Sequence, residues 1–253
     1  MLNKAQIRYW PVVRGSYDDL LAEMEVWRHD GGRHTVCFCD GNGLPRAWGK
    51  DIELRNAYAK ADAVCADGIA TDVLARMCGG ASGRLIGPKL FPAALEHGVS
   101  RGWRHFFYGS DEKTLKALKE MAEEQYPGVS IVGTYAPEIS SDPQLPPRDV
   151  SSCDFFWVAL GCPKQEKWSE RHKHEVNASV LLSVGAAFDF LSGRVANTPE
   201  WVHKIGCCWL WRLLTGGRRV FLRNVKCVSA SLWVLLSEFV RIKFLRRPIS
   251  ADE

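Results

Sequence analysis

The sequence predicts an α/β fold: a parallel sheet with helices on both faces, extended by a basic amphipathic helical appendage. Three observations carry this expectation. Short, continuous apolar runs such as HTVCFC, AVCA and DFFWVA alternate with stretches of helical periodicity, and strands that read as unbroken apolar runs are buried on both faces. Glycine-bearing loops follow most of those runs. After Gly193 the pattern changes to helices studded with arginine. The composition, 46% hydrophobic and 25% charged over 253 residues, is that of a globular protein and excludes a disordered chain, a collagen or a multi-span membrane protein.

The elements follow in order. Residues 7–13 read as the first strand. Ser16 is placed to cap a helix over 17–28, with Asp18 and Asp19 in the first turn, where the helix dipole favours acids. The apolar run 34–39 is a strand, and 51–60 a helix. The run 63–66 is a strand leading into a helix over 69–78. A helix over 88–102 precedes the strand 105–108. Ser110 is placed to cap a helix over 111–125, and the strand 130–135 follows. SSDPQLPPRD (140–149) is a polar, proline-rich loop rather than a domain linker. The strand 154–159 leads into a helix over 163–174, with Pro163 where a first-turn proline is tolerated. The last strand is 179–184. Beyond it, 201–214 reads as a helix that Gly216-Gly217 ends, and 218–245 as a long second one. The expected units are a core over 1–193 and an appendage over 194–253.

Charge is uneven. Residues 194–247 hold eleven Lys/Arg and two Asp/Glu, a local +9, whereas residues 1–193 sum to −3. Such a basic end points to an anionic partner: a membrane surface, a nucleic acid or a phosphate. The longest uncharged run of the last helix, 227–237, is far short of the ~20 residues that span a bilayer. A basic helix carrying Trp, Phe and Leu can instead lie in the membrane interface; an ordinary packing helix with a solvated face is the alternative. No nucleic-acid-binding motif appears, so nucleic acid is not the expected partner.

The nine cysteines include no CxxC pair and no Cys/His cluster of zinc spacing, so reduced, buried thiols are expected and no metal site. MLNKAQIRYW lacks the apolar core of a signal peptide.

In a parallel sheet, ligands bind beyond the carboxyl ends of the strands. The loops there are Asp40-Gly41-Asn42-Gly43, Asp67-Gly68, Gly109-Ser110-Asp111 and Gly161-Cys162-Pro163-Lys164-Gln165-Glu166, with Gly185-Ala-Ala-Phe-Asp-Phe after the last strand. No GxGxxG and no Walker A motif is present. Asp67 suits either a helix cap or a general base at a strand end. Asp189, between two phenylalanines, needs a hydrogen-bond donor from a ligand or from the backbone. Lys164-Gln165-Glu166 could be the solvated first turn of a helix, and His172 and His174 are expected to face solvent. No Asp-x-Asp pair occurs, which argues against a divalent ion held by paired carboxylates.

Several of these segments together resemble one family. ALGCPKQEKW is similar to a G-x-P-K-Q-E segment, SVGAAFDFLSG to VG-x-x-FD-x-x-x-G, and NTPEW…CCWLWRLLTGGRRVFLR to R-A-P-x-W…L-E-W-L-x-R-L…P-x-R…R. KADAVCADGIATDVLARMCG resembles an A-D-G-I/M segment, and Arg84-Leu85-Ile86-Gly87 an R-x-x-G. In this order they resemble the WecG/TagA/CpsF family, glycosyltransferase family 26, from about Thr35 to Asn224.

The resemblance implies a Rossmann-like α/β fold and an inverting, metal-independent transfer of a sugar from a UDP-sugar to a polyprenyl-diphosphate-linked sugar. The products would be cell-surface polymers such as teichoic acid linkage units, enterobacterial common antigen or exopolysaccharide. The enzyme would sit peripherally on the cytoplasmic face of the bacterial inner membrane, its basic appendage contacting anionic lipid and helping to close the site. It would need no cofactor, and a homo-oligomer is possible. Carried across residue by residue, Asp67 is the catalytic base. Gln165, Asp189 and Tyr135 contact the nucleotide, Asn42 lies near the donor sugar, and Arg84 lines the site. Arg212, Arg219 and Arg223 bind diphosphate. The chain departs from the family pattern at Asp40, where many members have Thr and where a second carboxylate could share the base role, and at Lys89, Cys208 and Gly216-Gly217. The departures bear on donor sugar and acceptor more than on reaction class; a catalytically inactive member and a basic nucleic-acid-binding protein are the alternatives.

Overall fold

A computed structural model of the chain describes residues 1–79, 83–147, 152–193 and 217–244, with side chains from Val225 onward in the last segment. The chain opens on a two-stranded antiparallel hairpin, β1 (Asn3–Gln6) and β2 (Pro11–Arg14), instead of one strand over 7–13. The reason is a tight turn in which the Ile7 N–H reaches the Trp10 carbonyl at 3.2 Å. Ile7 and Trp10 are fully buried by that turn, so the apolar run continues through a reversal of direction. The hairpin packs through β2 onto the sheet edge at β4.

The main sheet has six strands, all parallel: β3 (His34–Cys39), β4 (Ala63–Ala66), β5 (Arg104–Gly109), β6 (Ser130–Tyr135), β7 (Cys153–Ala159) and β8 (Ala178–Ser183), in the spatial order β4-β3-β8-β7-β5-β6. Alternation within each strand feeds two cores. Val36, Phe38, Phe107, Phe155 and Trp157 point to one face, and Cys37, Cys39, Phe106, Phe156 and Val158 to the other. Burial on both faces is why these strands read as continuous apolar runs.

On the first face lie α1 (Tyr17–His29), with Leu20 and Met24 buried, α5 (Gly87–Val99), with Phe91 buried, and α6 (Glu112–Gln125), with Leu115 buried. On the second lie α2 (Gly43–Trp48), α3 (Ile52–Lys60), α4 (Ile69–Met77) and α7 (Lys164–His172), contributing Leu44, Tyr58, Leu74 and Trp168. The short α8 (Ala187–Leu191) follows β8 and packs against α5 and α6. The long α9 (Gly217–Phe244) lies across α2 and α4 and buries Val234 in the second core. The helix expected over 201–214 lies outside the described residues.

Caps follow the sequence with one exception. Ser16 accepts the Asp19 N–H and Asp19 answers by accepting the Ser16 N–H, a complete capping box. Asp51 caps α3. For α6 the cap is Asp111, which accepts the Thr114 N–H at 2.8 Å, not Ser110. Ser110 sits at φ 58°, turning the chain off β5, and the extended residue that a cap requires comes one position later. Helices α2 and α8 were not expected. Six residues including a glycine and a proline, and five residues, are too short to show a period. The proline-rich loop is pinned to the core: Tyr108 Oη donates to the Gln144 carbonyl and Trp168 Nε1 to that of Pro143.

His105 is buried and neutral. Desolvation, partly opposed by Asp154, pushes its pKa down to about 3, and its Nδ1 accepts from Trp157 Nε1 at 3.1 Å. Nearby, Asp154 joins α1 to the sheet. It accepts the Arg104 N–H (2.9 Å), Arg104 Nη2 (3.1 Å) and Arg28 Nε (3.2 Å). Burial works against the carboxylate, but the Arg104 hydrogen bonds and the two guanidinium groups outweigh it and hold the pKa below the ordinary value. Asp154→Ala should therefore cost about 2 kcal/mol, a figure discounted for the partly exposed arginines. The lowered pKa adds stability that is lost as pH falls below about 4. Urea unfolding at pH 7 and pH 3 should show the deficit shrinking at the lower pH; an equal deficit at both would refute this role.

Candidate active site

The carboxyl ends of β3, β4, β7 and β8 meet on one rim of the sheet, where hydrogen bonds tie their loops together. The Cys39 carbonyl, at the end of β3, accepts the Gly68 N–H at 3.2 Å and Thr71 Oγ1 at 3.0 Å. The loop after β4 is thereby drawn against the loop after β3. A Cβ on Gly68 would stand 2.9 Å from the Gly41 nitrogen and 3.1 Å from the Asp40 carbonyl carbon, so this backbone-to-backbone approach requires glycine.

Asp40 is engaged locally. Its Oδ1 accepts the N–H groups of Asn42 (3.0 Å) and Gly43 (2.7 Å), and its carbonyl accepts the Leu44 N–H. It thus starts α2 in the manner of a helix cap. The side chain of Asn42 bridges three elements. Its Nδ2 donates to the Cys162 carbonyl (3.3 Å), and its Oδ1 accepts Arg46 Nε (3.0 Å) and, at 3.8 Å, the Cys227 thiol of α9. Ser231 of α9 donates to the Gly41 carbonyl. The long C-terminal helix therefore rests directly on the loop after β3.

Asp67 stands half-buried just past β4. The cap position of α4 belongs to Gly68, with no side-chain hydrogen bond, so capping does not account for the Asp67 carboxyl. Arg84 reaches across and donates from Nε (3.3 Å) and Nη2 (3.0 Å) to the Asp67 carbonyl. Tyr17 accepts the Ile86 N–H on its hydroxyl. Burial, reinforced by the nearby Asp67 charge and partly opposed by the Ile86 hydrogen bond, raises the phenol's pKa. Lys89 is exposed in the first turn of α5.

The first turn of α7 is not solvated. Gln165 and Glu166 are 4% and 0% exposed. Gln165 spends its amide inside the protein: Oε1 accepts the Gly161 N–H (3.0 Å), and Nε2 donates to the Ser183 carbonyl and to Glu166 Oε1 (2.9 Å each). It also lies against Gly185, where a Cβ would meet its Oε1 at 3.0 Å. His172, expected at the surface, is half-buried against Trp168, with its Nδ1 2.7 Å from Glu175; His174 is exposed as expected.

Asp40, Asn42, Asp67, Arg84 and Gln165 are thus joined through one hydrogen-bonded rim. Asp189 is half-buried in the first turn of α8, just beyond the end of β8. Tyr135 lies apart, at the end of edge strand β6 and stacked on Tyr108. Three strand spacings, about 14 Å, separate β6 from β8. Arg219 and Arg223 fall in the first two turns of α9, and Arg212 and Cys208 lie outside the described residues. Glu166 and Cys162, to which the sequence assigned no role of their own, and Tyr58, which it did not mention, are packed beneath the loop after β3. A Cβ on Gly43 would crowd the Tyr58 hydroxyl, Asp40 Oδ1 and the Cys162 sulfur.

Comparison with known proteins identifies the family. The family model "Glycosyl transferase WecG/TagA/CpsF family" matches residues 6–244. A protein of Bacillus subtilis strain 168, N-acetylglucosaminyldiphosphoundecaprenol N-acetyl-beta-D-mannosaminyltransferase, is 26% identical over 202 residues, covering 79% of this chain and 78% of its own. The protein of the same name from Bacillus spizizenii is 28% identical over 163 residues (64% and 63%), and that from Staphylococcus aureus strain NCTC 8325 is 22% identical over 138 residues (54% of each). With the family's model spanning nearly the whole chain and the motif-bearing loops gathered on one rim, this protein belongs to the WecG/TagA/CpsF family of glycosyl transferases.

Proposed function

We propose that the chain moves a sugar, with inversion, from a UDP-sugar to a polyprenyl-diphosphate-linked sugar, with Asp67 as the catalytic base. The relatives named above act, by their names, with N-acetylmannosamine on N-acetylglucosaminyldiphosphoundecaprenol, so N-acetylmannosamine is the first donor sugar to test, with glucose and related sugars next. The polymers served would be of the teichoic acid or exopolysaccharide kind.

In one displacement the acceptor hydroxyl oxygen attacks the anomeric carbon and its proton passes to the Asp67 carboxylate. The bond from that carbon to the diphosphate oxygen breaks, and UDP leaves with the electron pair. The observation that carries this reading is the placement of Asp67: at a strand's carboxyl end, half-buried, with its backbone held by Arg84 and with capping of α4 left to Gly68. A base must stand within hydrogen-bond reach of the proton it takes, and the carboxyl end of a parallel strand is where ligands are bound in such sheets. Asp40, whose Oδ1 is engaged by two N–H groups, assists by shaping the loop more than by taking the proton. Guanidinium forks suit a leaving diphosphate, and Arg212, Arg219 and Arg223 are assigned that charge without a metal ion, with Arg84 lining the site. Gln165 orders the rim, and Asp189 and Tyr135 would meet a nucleotide laid along it.

Residues 194–253 are assigned as a membrane-facing appendage on the 1–193 core, at the cytoplasmic face of the inner membrane. Among the described residues no helix is long and apolar enough to cross a bilayer. Helix α9 nonetheless exposes Leu232, Trp233, Leu236, Phe239 and Phe244, from 47% to 68% accessible, with Lys226 and Lys243 alongside. Apolar residues flanked by lysine suit an anionic lipid interface.

Two outcomes are expected. Asp67→Asn should keep the wild-type melting temperature and lose about 10²–10⁴-fold in kcat, measured as UDP release from a UDP-sugar panel with a lipid-diphosphate acceptor; normal turnover would remove Asp67 from the base role. Replacing Leu232, Trp233 and Leu236 together by Ser should leave the core folded and abolish flotation with phosphatidylglycerol vesicles. Undiminished flotation would rule out α9 as the contact surface.

A further inference from the structure

We propose that Glu166 is a positioning residue of the transfer site, an uncharged carboxylic acid that holds the Gln165 side chain in the orientation that ties the loops after β7 and β8 together beneath Asn42. This rests on the transferase reading for its consequence and on the structure for its geometry. A glutamine amide has two faces to offer, and only one fits here. Ser183 and Gly161 present a carbonyl and an N–H to it, and Glu166 Oε1 takes the remaining Nε2 hydrogen. Without that oxygen a buried N–H would be left unpaired, at a cost comparable to a lost hydrogen bond.

Glu166 is fully buried, and its Oε2 finds no hydrogen-bond partner among the described residues. The ionisable groups whose charges bear on it are Asp40 from the loop after β3, Cys37 and Cys39 from β3, Tyr58 from α3, and Cys162 from the loop after β7. All are neutral or negative, and among the described residues no cation compensates a carboxylate here. A dry, unpaired charge is avoided by keeping the proton. Burial, with Asp40 adding to it and the Glu166 N–H, the Gln165 amide and the Cys162 thiol opposing it, pushes the pKa up to about 8.

The neutral acid adds stability that is full below the ordinary carboxylate range, near 4.5, and is lost as pH rises through about 8. Above pH 8 the carboxylate would loosen the rim from below.

The test compares wild type, Glu166→Gln and Glu166→Ala. The glutamine variant keeps shape and neutrality, so its kcat at pH 7 should stay within about threefold of wild type. The alkaline fall in wild-type transfer above pH 8 should be absent from it. The alanine variant should lose about tenfold or more in kcat, with donor KM changing less, as expected for a disturbed reaction geometry. Melting temperature from pH 5 to pH 9 supplies a readout independent of transfer: wild type should lose stability with rising pH relative to Glu166→Gln. Parallel melting profiles would overturn the uncharged state. A glutamine variant as inactive as the alanine one at pH 7 would overturn the positioning role. Divergent melting profiles in a wild type that transfers no sugar would uphold the uncharged Glu166 and defeat the transferase reading instead.

Discussion

Where a strand of a parallel sheet ends, its last carbonyls and the next N–H groups lose their ladder partners, and in a buried sheet they cannot all be left to water. The carboxyl rim of this sheet is organised around that constraint. Cys39 gives its carbonyl to Gly68 and Thr71, Ser183 to Gln165, and Asp67 to Arg84, while Gly161 gives its N–H to Gln165 and Asn42 and Gly43 give theirs to Asp40. Asp67, Gly68, Thr71, Arg84, Gly161, Gln165 and Ser183 among them lie in the segments that resemble the family's motifs. Satisfying the strand ends and assembling the site are therefore one task, and a substitution on this rim will disturb both.

Three acids near the rim live in three different surroundings. Asp40 is engaged by backbone N–H groups and starts a helix. Glu166 is dry and faces no cation among the described residues. Asp67 is half-buried, beside a phenol that burial keeps protonated. Environment divides carboxyl groups of similar intrinsic acidity into different roles. The division explains why an Asp at position 40 need not disturb the base role proposed for Asp67: its carboxylate is turned to the loop it begins.

The sheet was legible because each strand is buried on both faces and so appears as an apolar run of the right length. The expected runs match β3, β4 and β6 in full and overlap β5, β7 and β8 within a residue. The hairpin was hidden because burial of Ile7 and Trp10 carries the apolar signal through the turn. The Ser110 cap failed because a left-handed residue was needed first to leave β5. Within the site, motif positions at strand ends could be read from sequence. Glu166 could not, because KQEKW has the composition of a solvated helix turn, and the groups that surround it, Cys37 and Cys39 of β3, Tyr58 of α3 and the loop after β3, are distant in sequence.

Helix α9 brings the two halves of the chain together. Its inner face is polar at one end, where Cys227 and Ser231 meet the loop after β3. Further on it is apolar at Val234, then acidic at Glu238, which is 1% exposed and paired with Arg241 at 2.7 Å and Arg8 at 3.6 Å. A buried ion pair adds little net stability but penalises any register that would strand the charge. Glu238 thus fixes how α9 lies, and with it which residues reach Asn42. The outer face of the same helix is apolar and exposed. A helix committed to the protein on one side and apolar on the other has a lower free energy with both sides covered. A lipid surface can cover the second side without competing for the first, and the loop after β3, on which α9 rests, would then lie one helix thickness from that surface.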